Sequence, residues 1–277
     1  MKIICIWLLI CSTILAEPLV VHDEKLGKQF AAAIGALADE GGHPSAKELS
    51  ESLANSPESI EIQESAFGEA GDDPSKSVYM IGALYKCGKC DKWHNRGSAT
   101  AWALTTSGLL VTNYHVMAST KGDVVGVMDQ SGNAYAVTEV LAASKESDYA
   151  IIRVDGTGLI PLAVAEPAKV GTAVRVISHP RGRYYTHTFG HISRYYYRTI
   201  EKDGKEVPFM TITADFAKGS SGGPVLDLSN RVVGMVSSTS SLYTKPSKNK
   251  DPQGVLQMVI KNCVPGIAIR KGAGLSE

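Results

Sequence analysis

A serine flanked by glycines, in the segment Lys218-Gly219-Ser220-Ser221-Gly222-Gly223-Pro224, is the most constraining feature of this 277-residue sequence. Glycines on both sides permit backbone conformations with positive φ and let another backbone approach closely. In such a turn the amides of Gly219 and Ser221 can point at one spot, where they would stabilise a developing oxyanion. A serine hydroxyl alone is a weak nucleophile, so this interpretation requires a histidine base and an acid that orients it.

Two upstream segments supply those residues in suitable surroundings. The apolar run that begins at Leu109 leads directly into His115, and Asp148 stands immediately before a second apolar run that ends at Val154. Both runs have the composition of short buried strands. The separations leave room for half of a β-barrel before Asp148 and for most of another before Ser221. The order along the chain is therefore histidine, aspartate, serine.

The three segments together resemble the chymotrypsin-like serine proteases, and most of all their bacterial Htr/Deg branch. The matching motifs are T-N-x-H-V around His115, D-x-A-[IVL]-[IVL]-[KR] from Asp148 and G-x-S-G-G-P around Ser221. The resemblance implies an exported serine endopeptidase with His115 as base, Asp148 as its orienting acid and Ser221 as nucleophile. It also implies an oxyanion hole formed by the amides of Gly219 and Ser221, protein or peptide substrates, and no cofactor.

Each motif alone has an ordinary structural explanation, and the interpretation depends on their joint occurrence. A single G-S-S-G-G-P is usually a tight loop, and a single D-Y-A-I-I is usually the start of a strand. The other six histidines lack such flanks and are expected at the surface or in packing. The alternative function is a catalytically latent protein that keeps the protease fold for binding or as a scaffold.

Many short strands with turn signals, and no long central helices, predict an all-β fold. The resemblance implies two six-stranded antiparallel barrels of the chymotrypsin type, with lobes at about 77–160 and 161–262 and a short C-terminal helix in a domain spanning 77–277. The few residues after Cys263 leave no room for a PDZ domain. This departure from typical Htr proteases argues against their PDZ-mediated activation and large oligomers, and the sequence makes no prediction of oligomeric state.

The N-terminal residues differ in composition from the rest. Residues 1–16 combine one lysine, an apolar run and a small residue before Glu17, which predicts a signal peptide and export to the periplasm or outside the cell. Residues 17–76 are predicted to form a small helical extension and a linker. A capping box at Ser45 opens its second helix. A pro-segment, a docking arm and a packed cap are all compatible with this extension, with the packed cap as the default.

Charge and hydropathy exclude several partners. The chain has 28 basic and 28 acidic residues, so nucleic acid and an anionic membrane are not expected to bind. Beyond residue 16 no apolar run is long enough to cross a bilayer, so no membrane span is expected.

Cys87, Cys90 and His94 lie on one short predicted hairpin loop, and Cys263 is the third cysteine outside the signal peptide. Two thiols and an imidazole are zinc ligands, with Cys263 as a fourth if the fold brings it close. A disulfide between Cys87 and Cys90 is compatible with export. The second ligand pair of a full zinc signature is missing, so the sequence favours a disulfide or a plain thiol pair and no metal.

The resemblance points to Asp215, Ser237 and Thr239 as the residues of the specificity pocket. Asp215 and Thr239 indicate different substrate preferences. Asp215 precedes Ser221 by the offset at which trypsin-like enzymes carry the aspartate that selects Arg or Lys. Thr239 falls at the position where, in the enzymes of this family that select Arg or Lys, the residue is glycine. A β-branched side chain there narrows the pocket. Because sterics exclude before charges select, we predict small or medium aliphatic residues before the cleaved bond, with Arg or Lys as the alternative.

Overall fold

The computed structural model describes residues 20–63, 71–245 and 254–275, so the predicted signal peptide lies outside the described residues. Its strands form two closed antiparallel barrels of six strands each. The predicted all-β fold with two six-stranded barrels is therefore confirmed. In the described part of the chain, no helix is both long enough and apolar enough to cross a membrane.

The first barrel closes in the order β1-β2-β3-β6-β5-β4. Its strands are β1 (Val78–Lys86), β2 (Trp93–Ala103), β3 (Leu109–Thr112), β4 (Val124–Met128), β5 (Ala134–Ser144) and β6 (Tyr149–Val154). Inward-facing aliphatic side chains such as Val127, Leu110 and Ile152 are fully buried and fill its interior. A short helix, α3 in chain order (Tyr114–Ser119), follows β3 and carries His115 in its first turn.

The second barrel closes in the order β10-β11-β12-β9-β8-β7. Its strands are β7 (Ala173–Ser178), β8 (Thr186–Thr199), β9 (Glu206–Ile212), β10 (Pro224–Leu226), β11 (Val232–Tyr243) and β12 (Leu256–Pro265). Strand β12 continues to Pro265, where Cys263 and Val264 are buried and pair with β11. Helix α4 (Gly266–Gly272) then ends the described chain.

The predicted helical extension forms two helices, α1 (Asp23–Glu40) and α2 (Ala46–Asn55), and the capping box at Ser45 is present. Phe30 and Ile34 of α1 are fully buried against side chains of the first barrel, including Met80 and Leu84. Burying an apolar side chain of this size stabilises a fold by about 1.5–3 kcal/mol. The two helices therefore pack as a cap that shares a core with the first barrel.

The chain after α2 runs along both the first barrel and α4. The carbonyl of Pro57 accepts a hydrogen bond from the amide of Ala143 at 2.8 Å, and the amide of Ile60 donates to the carbonyl of Gly272 at 2.9 Å. The hydroxyl of Tyr149 donates to the carbonyl of Glu58. These bonds attach the extension at its second end, next to the strand that follows Asp148.

Candidate active site

The structure brings His115, Asp148 and Ser221 together where the two barrels meet. Nδ1 of His115 lies 2.9 Å and 3.0 Å from the two carboxylate oxygens of Asp148. Nε2 of His115 lies 2.9 Å from Oγ of Ser221. With Nδ1 donating to the carboxylate, Nε2 is left as the acceptor for the serine proton. This is the geometry that a general base and a nucleophile require.

Asp148 is held by contacts that extend beyond His115. Its backbone has a φ of 58°, an uncommon conformation for a residue with a side chain. The side-chain amide of Asn113 donates to its carbonyl at 2.9 Å, which anchors this strained position. The amide of His115 donates to Oδ1 at 3.1 Å, and Oγ of Ser237 donates to Oδ2 at 2.6 Å. These two donors, together with Nδ1 of His115, fix the orientation of the carboxylate.

Sequence reasoning missed the part played by Asn113, although it stands inside the T-N-x-H-V motif. Its side chain is fully buried, and a buried amide needs a partner. Ser237 was expected to line the specificity pocket. Its hydroxyl donates to Oδ2 of Asp148, and its place in the specificity pocket stays a prediction.

The loop that carries Ser221 adopts conformations that only glycine tolerates. Gly219 and Gly222 have φ values of 99° and 85°. A Cβ on Gly219 would lie 2.5 Å from the carbonyl oxygen of His179, and one on Gly222 would lie 1.9 Å from that of Thr100. The glycines are thus required both by backbone conformation and by the close approach of neighbouring chains.

The first barrel contributes directly to this loop. The amide of Thr100 donates to the carbonyl of Ser221 at 2.8 Å, and the Thr100 hydroxyl donates to the carbonyl of Gly219 at 3.1 Å. Within residues 20–63, 71–245 and 254–275, the amides of Gly219 and Ser221 donate to no other backbone group. Neither amide is therefore engaged in a backbone hydrogen bond within these residues.

His179 lies next to the loop that carries Ser221, with its backbone carbonyl close to Gly219. It is fully buried, its ring packs edge-on against Tyr185, and its Nδ1 accepts a hydrogen bond from the Tyr185 amide at 3.1 Å. Burial lowers the pKa of His179 to about 4, because the charged imidazolium would lose its solvation. The sequence predicted a surface or packing role for this histidine, and the structure places it in packing next to the loop that carries Ser221.

Asp215 does not face into the molecule. Its side chain is 85% exposed, and a carboxylate oxygen lies 3.0 Å from Nζ of Lys261, whose side chain is 12% exposed. Lys261 also donates to the carbonyl of Phe216 at 3.1 Å. On β12, Lys261 pairs with Thr239 of β11, and Thr239 is itself exposed. Sequence reasoning had no signal for Lys261, because only strand pairing brings it to this position.

A cleft of about 600 Å³ opens beside Ser221. One wall comes from the β1–β2 hairpin, the other from α3 and the residues after it, and the nucleophile loop forms its end. Its lining residues include Ile81, Arg96, Ser98, His115, Lys121 and Gly219. The cleft therefore reaches both His115 and Ser221.

The structure also gathers the residues that the sequence named as weak metal candidates. Cys87, Cys90 and His94 lie together at the tip of the β1–β2 hairpin, with ligand atoms within 4.8 Å of one another. Both cysteines are free thiols. Cys263 lies in the core of the second barrel and does not join them.

The family to which the chain belongs is decided by sequence comparison over half of its length. Residues 97–235 match the trypsin-like peptidase domain. The chain belongs to the trypsin-like peptidase family. This stretch of the trypsin-like peptidase domain includes His115, Asp148 and Ser221. The predicted membership of the chymotrypsin-like class is thereby confirmed.

Curated relatives carry this domain within longer chains. A probable periplasmic serine endoprotease DegP-like from Ectopseudomonas mendocina is 30% identical over 148 residues, which is 53% of this chain and 30% of that protein. The chloroplastic Protease Do-like 5 of Arabidopsis thaliana is 27% identical over 161 residues, or 53% of this chain and 49% of that protein. The chain thus spans less than half the length of these relatives.

Solved structures show the same fold. The serine endoprotease from Yersinia pestis superimposes with a TM-score of 0.53 at 17% identity, covering 72% of this chain and 61% of that one. The inactive form of the Rv3671c protease gives a TM-score of 0.53 at 24% identity, covering 73% of this chain and 89% of that one. Both likenesses cover nearly three quarters of this chain.

Proposed function

We propose that this protein is a serine endopeptidase that hydrolyses peptide bonds through an acyl-enzyme intermediate. The proposal rests on two linked hydrogen bonds, one between Ser221 and His115 and the other between His115 and Asp148. Membership of the trypsin-like peptidase family supports it. Proteins and peptides are the proposed substrates, because they are the substrates of this family and a cleft reaches Ser221.

In the first half of the reaction, Oγ of Ser221 attacks the scissile carbonyl carbon while its proton passes to Nε2 of His115. The carbonyl π electrons move onto oxygen, and the amides of Gly219 and Ser221 are placed to stabilise that oxyanion. Collapse of the tetrahedral intermediate breaks the C–N bond. The leaving amine takes the proton from His115, and Ser221 remains acylated.

In the second half, water attacks the acyl-enzyme and gives a proton to His115, which returns it to Oγ of Ser221 as the acid product leaves. Asp148 stays ionised throughout and stabilises the imidazolium that forms twice in each cycle. The carboxylate accepts from Nδ1 of His115 and also from the His115 amide and Oγ of Ser237, which keep it facing Nδ1. Asn113 bonds only the Asp148 carbonyl.

The decisive experiment compares the wild-type chain with Ser221→Ala and with Ser229→Ala, a control at an exposed serine remote from the cleft. A fluorophosphonate probe is expected to label wild type and Ser229→Ala, because only an activated serine reacts. Ser221→Ala is expected to remain unlabelled and to lose on the order of 10⁶ in kcat on casein. Asp148→Asn is expected to cost roughly 10⁴ in kcat while the fold persists.

Absence of labelling in a folded wild-type chain would favour the latent, scaffold alternative. Near-full casein hydrolysis by Ser221→Ala would contradict the assignment of the nucleophile. The two failures are distinguishable, because the first leaves wild type inactive and the second leaves the variant active.

We further propose that the protein is exported. The composition of residues 1–16 supports this, and DegP-like relatives carry the word periplasmic in their names. N-terminal sequencing of protein recovered from the periplasm or culture medium is expected to begin at Glu17. Retention of Met1 in protein confined to the cytoplasm would contradict export.

A further inference from the structure

A second group of reactive side chains lies outside the proposed active site, at the tip of the β1–β2 hairpin. Sγ of Cys87 lies 3.5 Å from Sγ of Cys90, and Sγ of Cys90 lies 3.1 Å from Nε2 of His94. Together the three ligand atoms lie within 4.8 Å of one another. Cys87 and Cys90 belong to the loop, whereas His94 is on β2 directly opposite Tyr85. Three soft or borderline ligands therefore converge from two sides of one hairpin.

These separations suit a metal ion of tetrahedral geometry. With Zn–S at about 2.3 Å and Zn–N at about 2.0–2.1 Å, tetrahedral ligand atoms lie about 3.5–3.8 Å apart. The observed separations, from 3.1 Å to at most 4.8 Å, straddle that range. Small side-chain rotations are enough to reach it, because all three side chains are at least partly exposed.

The backbone of the loop turns back between the two cysteines. Gly88 has a φ of 69°, which turns the chain back immediately after Cys87. This turn brings the sulfur of Cys90 to 3.5 Å from that of Cys87.

His94 is held in place by its neighbours. Its ring packs on Tyr85 with centroids 5.5 Å apart, and the guanidinium of Arg96 lies 4.3 Å from the centre of the Tyr85 ring. The strand pair next to the loop is tied to α1, since Asp39 accepts from Nζ of Lys86 at 2.9 Å and from Nε1 of Trp93 at 3.2 Å. The imidazole is thus presented to the two sulfurs by a supported strand pair.

We propose that Cys87, Cys90 and His94 bind one zinc ion, with water in the fourth position. On binding, the two thiols release their protons to solvent and the imidazole binds as the neutral base through Nε2. The sequence favoured a disulfide or a plain thiol pair. His94 changes this preference, because its Nε2 lies 3.1 Å from Sγ of Cys90 and supplies a third ligand atom. A disulfide would not involve an imidazole.

The site has a consequence for the cleft beside Ser221. The two strands that this loop joins also supply Ile81, Gly82, Arg96 and Ser98 to one wall of that cleft. A zinc ion at the tip would fix the separation of these strands. We therefore assign the ion a structural role in the hairpin, with no part in the hydrolytic steps.

The test uses the untagged chain, reduced and incubated with zinc chloride, then freed of unbound metal by gel filtration. Metal analysis is expected to find about one zinc per wild-type chain. Cobalt substitution is expected to give the intense sulfur-to-cobalt absorption of a thiolate site. Cys90→Ser and His94→Gln are expected to weaken zinc affinity at least tenfold in competition with a chelator.

Two variants serve as matched controls. His191→Gln removes an exposed histidine elsewhere, and Cys263→Ala removes the thiol in the core of the second barrel. Both are expected to retain wild-type stoichiometry, and thermal melting verifies that every variant is folded. Wild type holding no more zinc than a Cys87→Ser, Cys90→Ser double variant would overturn the proposal. An unchanged zinc affinity in His94→Gln would also overturn the proposal, because it would show that His94 is not a ligand.

Discussion

Oγ of Ser237 donates a 2.6 Å hydrogen bond to Oδ2 of Asp148, across the boundary between the two barrels. Ser237 lies at an irregularity of β11, where the pairing with β12 shifts between Val236 and Ser238. Such a bulge turns a side chain away from the direction it would have in a regular strand. The second barrel therefore supplies a donor to a carboxylate held by the first.

Replacing this donor is expected to affect turnover more than binding. A hydrogen bond to a charged group contributes about 1.5–3 kcal/mol, so Ser237→Ala should lower kcat by about tenfold or more, with KM little changed. Steady-state kinetics on a peptide substrate measures both constants. Ser241→Ala, at an exposed serine of the same strand, is the control. An unchanged kcat in Ser237→Ala would show that His115 orients Asp148 without help.

Gly219→Ala tests the proposed oxyanion hole. An alanine at this position would have to adopt a φ of 99°. Its Cβ would lie 2.5 Å from the carbonyl oxygen of His179. The amide is expected to turn away from the oxyanion, at a cost of about 10²–10³ in kcat. Gly204→Ala is a matched control, since Gly204 has a φ of 71° but nothing within 4 Å of its Cβ position. Equal kcat losses in the two variants would contradict the prediction.

His179 predicts a loss of stability in acid. Its folded-state pKa of about 4 is below the usual value of about 6.5, so the unfolded chain binds more protons between these values. Stability is therefore complete above about pH 6.5 and decreases as the pH falls towards 4. The contribution of this residue amounts to about 2 kcal/mol between pH 7 and pH 4.5.

Denaturant unfolding at pH 7 and pH 4.5 measures this contribution. His179→Gln keeps an acceptor for the Tyr185 amide but does not titrate, so its pH dependence is expected to be smaller than that of wild type by about 2 kcal/mol. His191→Gln, at an exposed position, should behave as wild type. A pH dependence identical in His179→Gln and wild type would assign the acid sensitivity to other groups.

The ion pair between Asp215 and Lys261 bears on substrate preference. Because the Asp215 carboxylate is exposed and already has a cationic partner, we expect no strong preference for Arg or Lys before the cleaved bond. Small and medium aliphatic residues remain the predicted preference. A library of peptide substrates measures it, and Asp215→Ser should change kcat/KM on aliphatic substrates by no more than about threefold. Strong cleavage after Arg or Lys that disappears in Asp215→Ser would reverse this interpretation.

The features that the sequence alone determined are those whose residues are close together in the chain. The glycine-rich loop around Ser221 and the capping box at Ser45 are local, so their residue types and spacing specify the backbone directly. Strand and helix patterns are also local, which is why the all-β class and the two N-terminal helices were predictable. The family resemblance extended this to the pairing of His115 with Asp148 and Ser221.

Only the tertiary structure decided which distant residues complete those sites. Ser237 and Asp148 are 89 positions apart in the chain, and Lys261 reaches Asp215 only because β12 pairs with β11 in one register. Such contacts depend on register, on bulges and on how the two barrels meet, because a shift of one residue would turn every side chain to the opposite face. The same holds for His94, whose imidazole meets Cys90 because β2 folds back along β1.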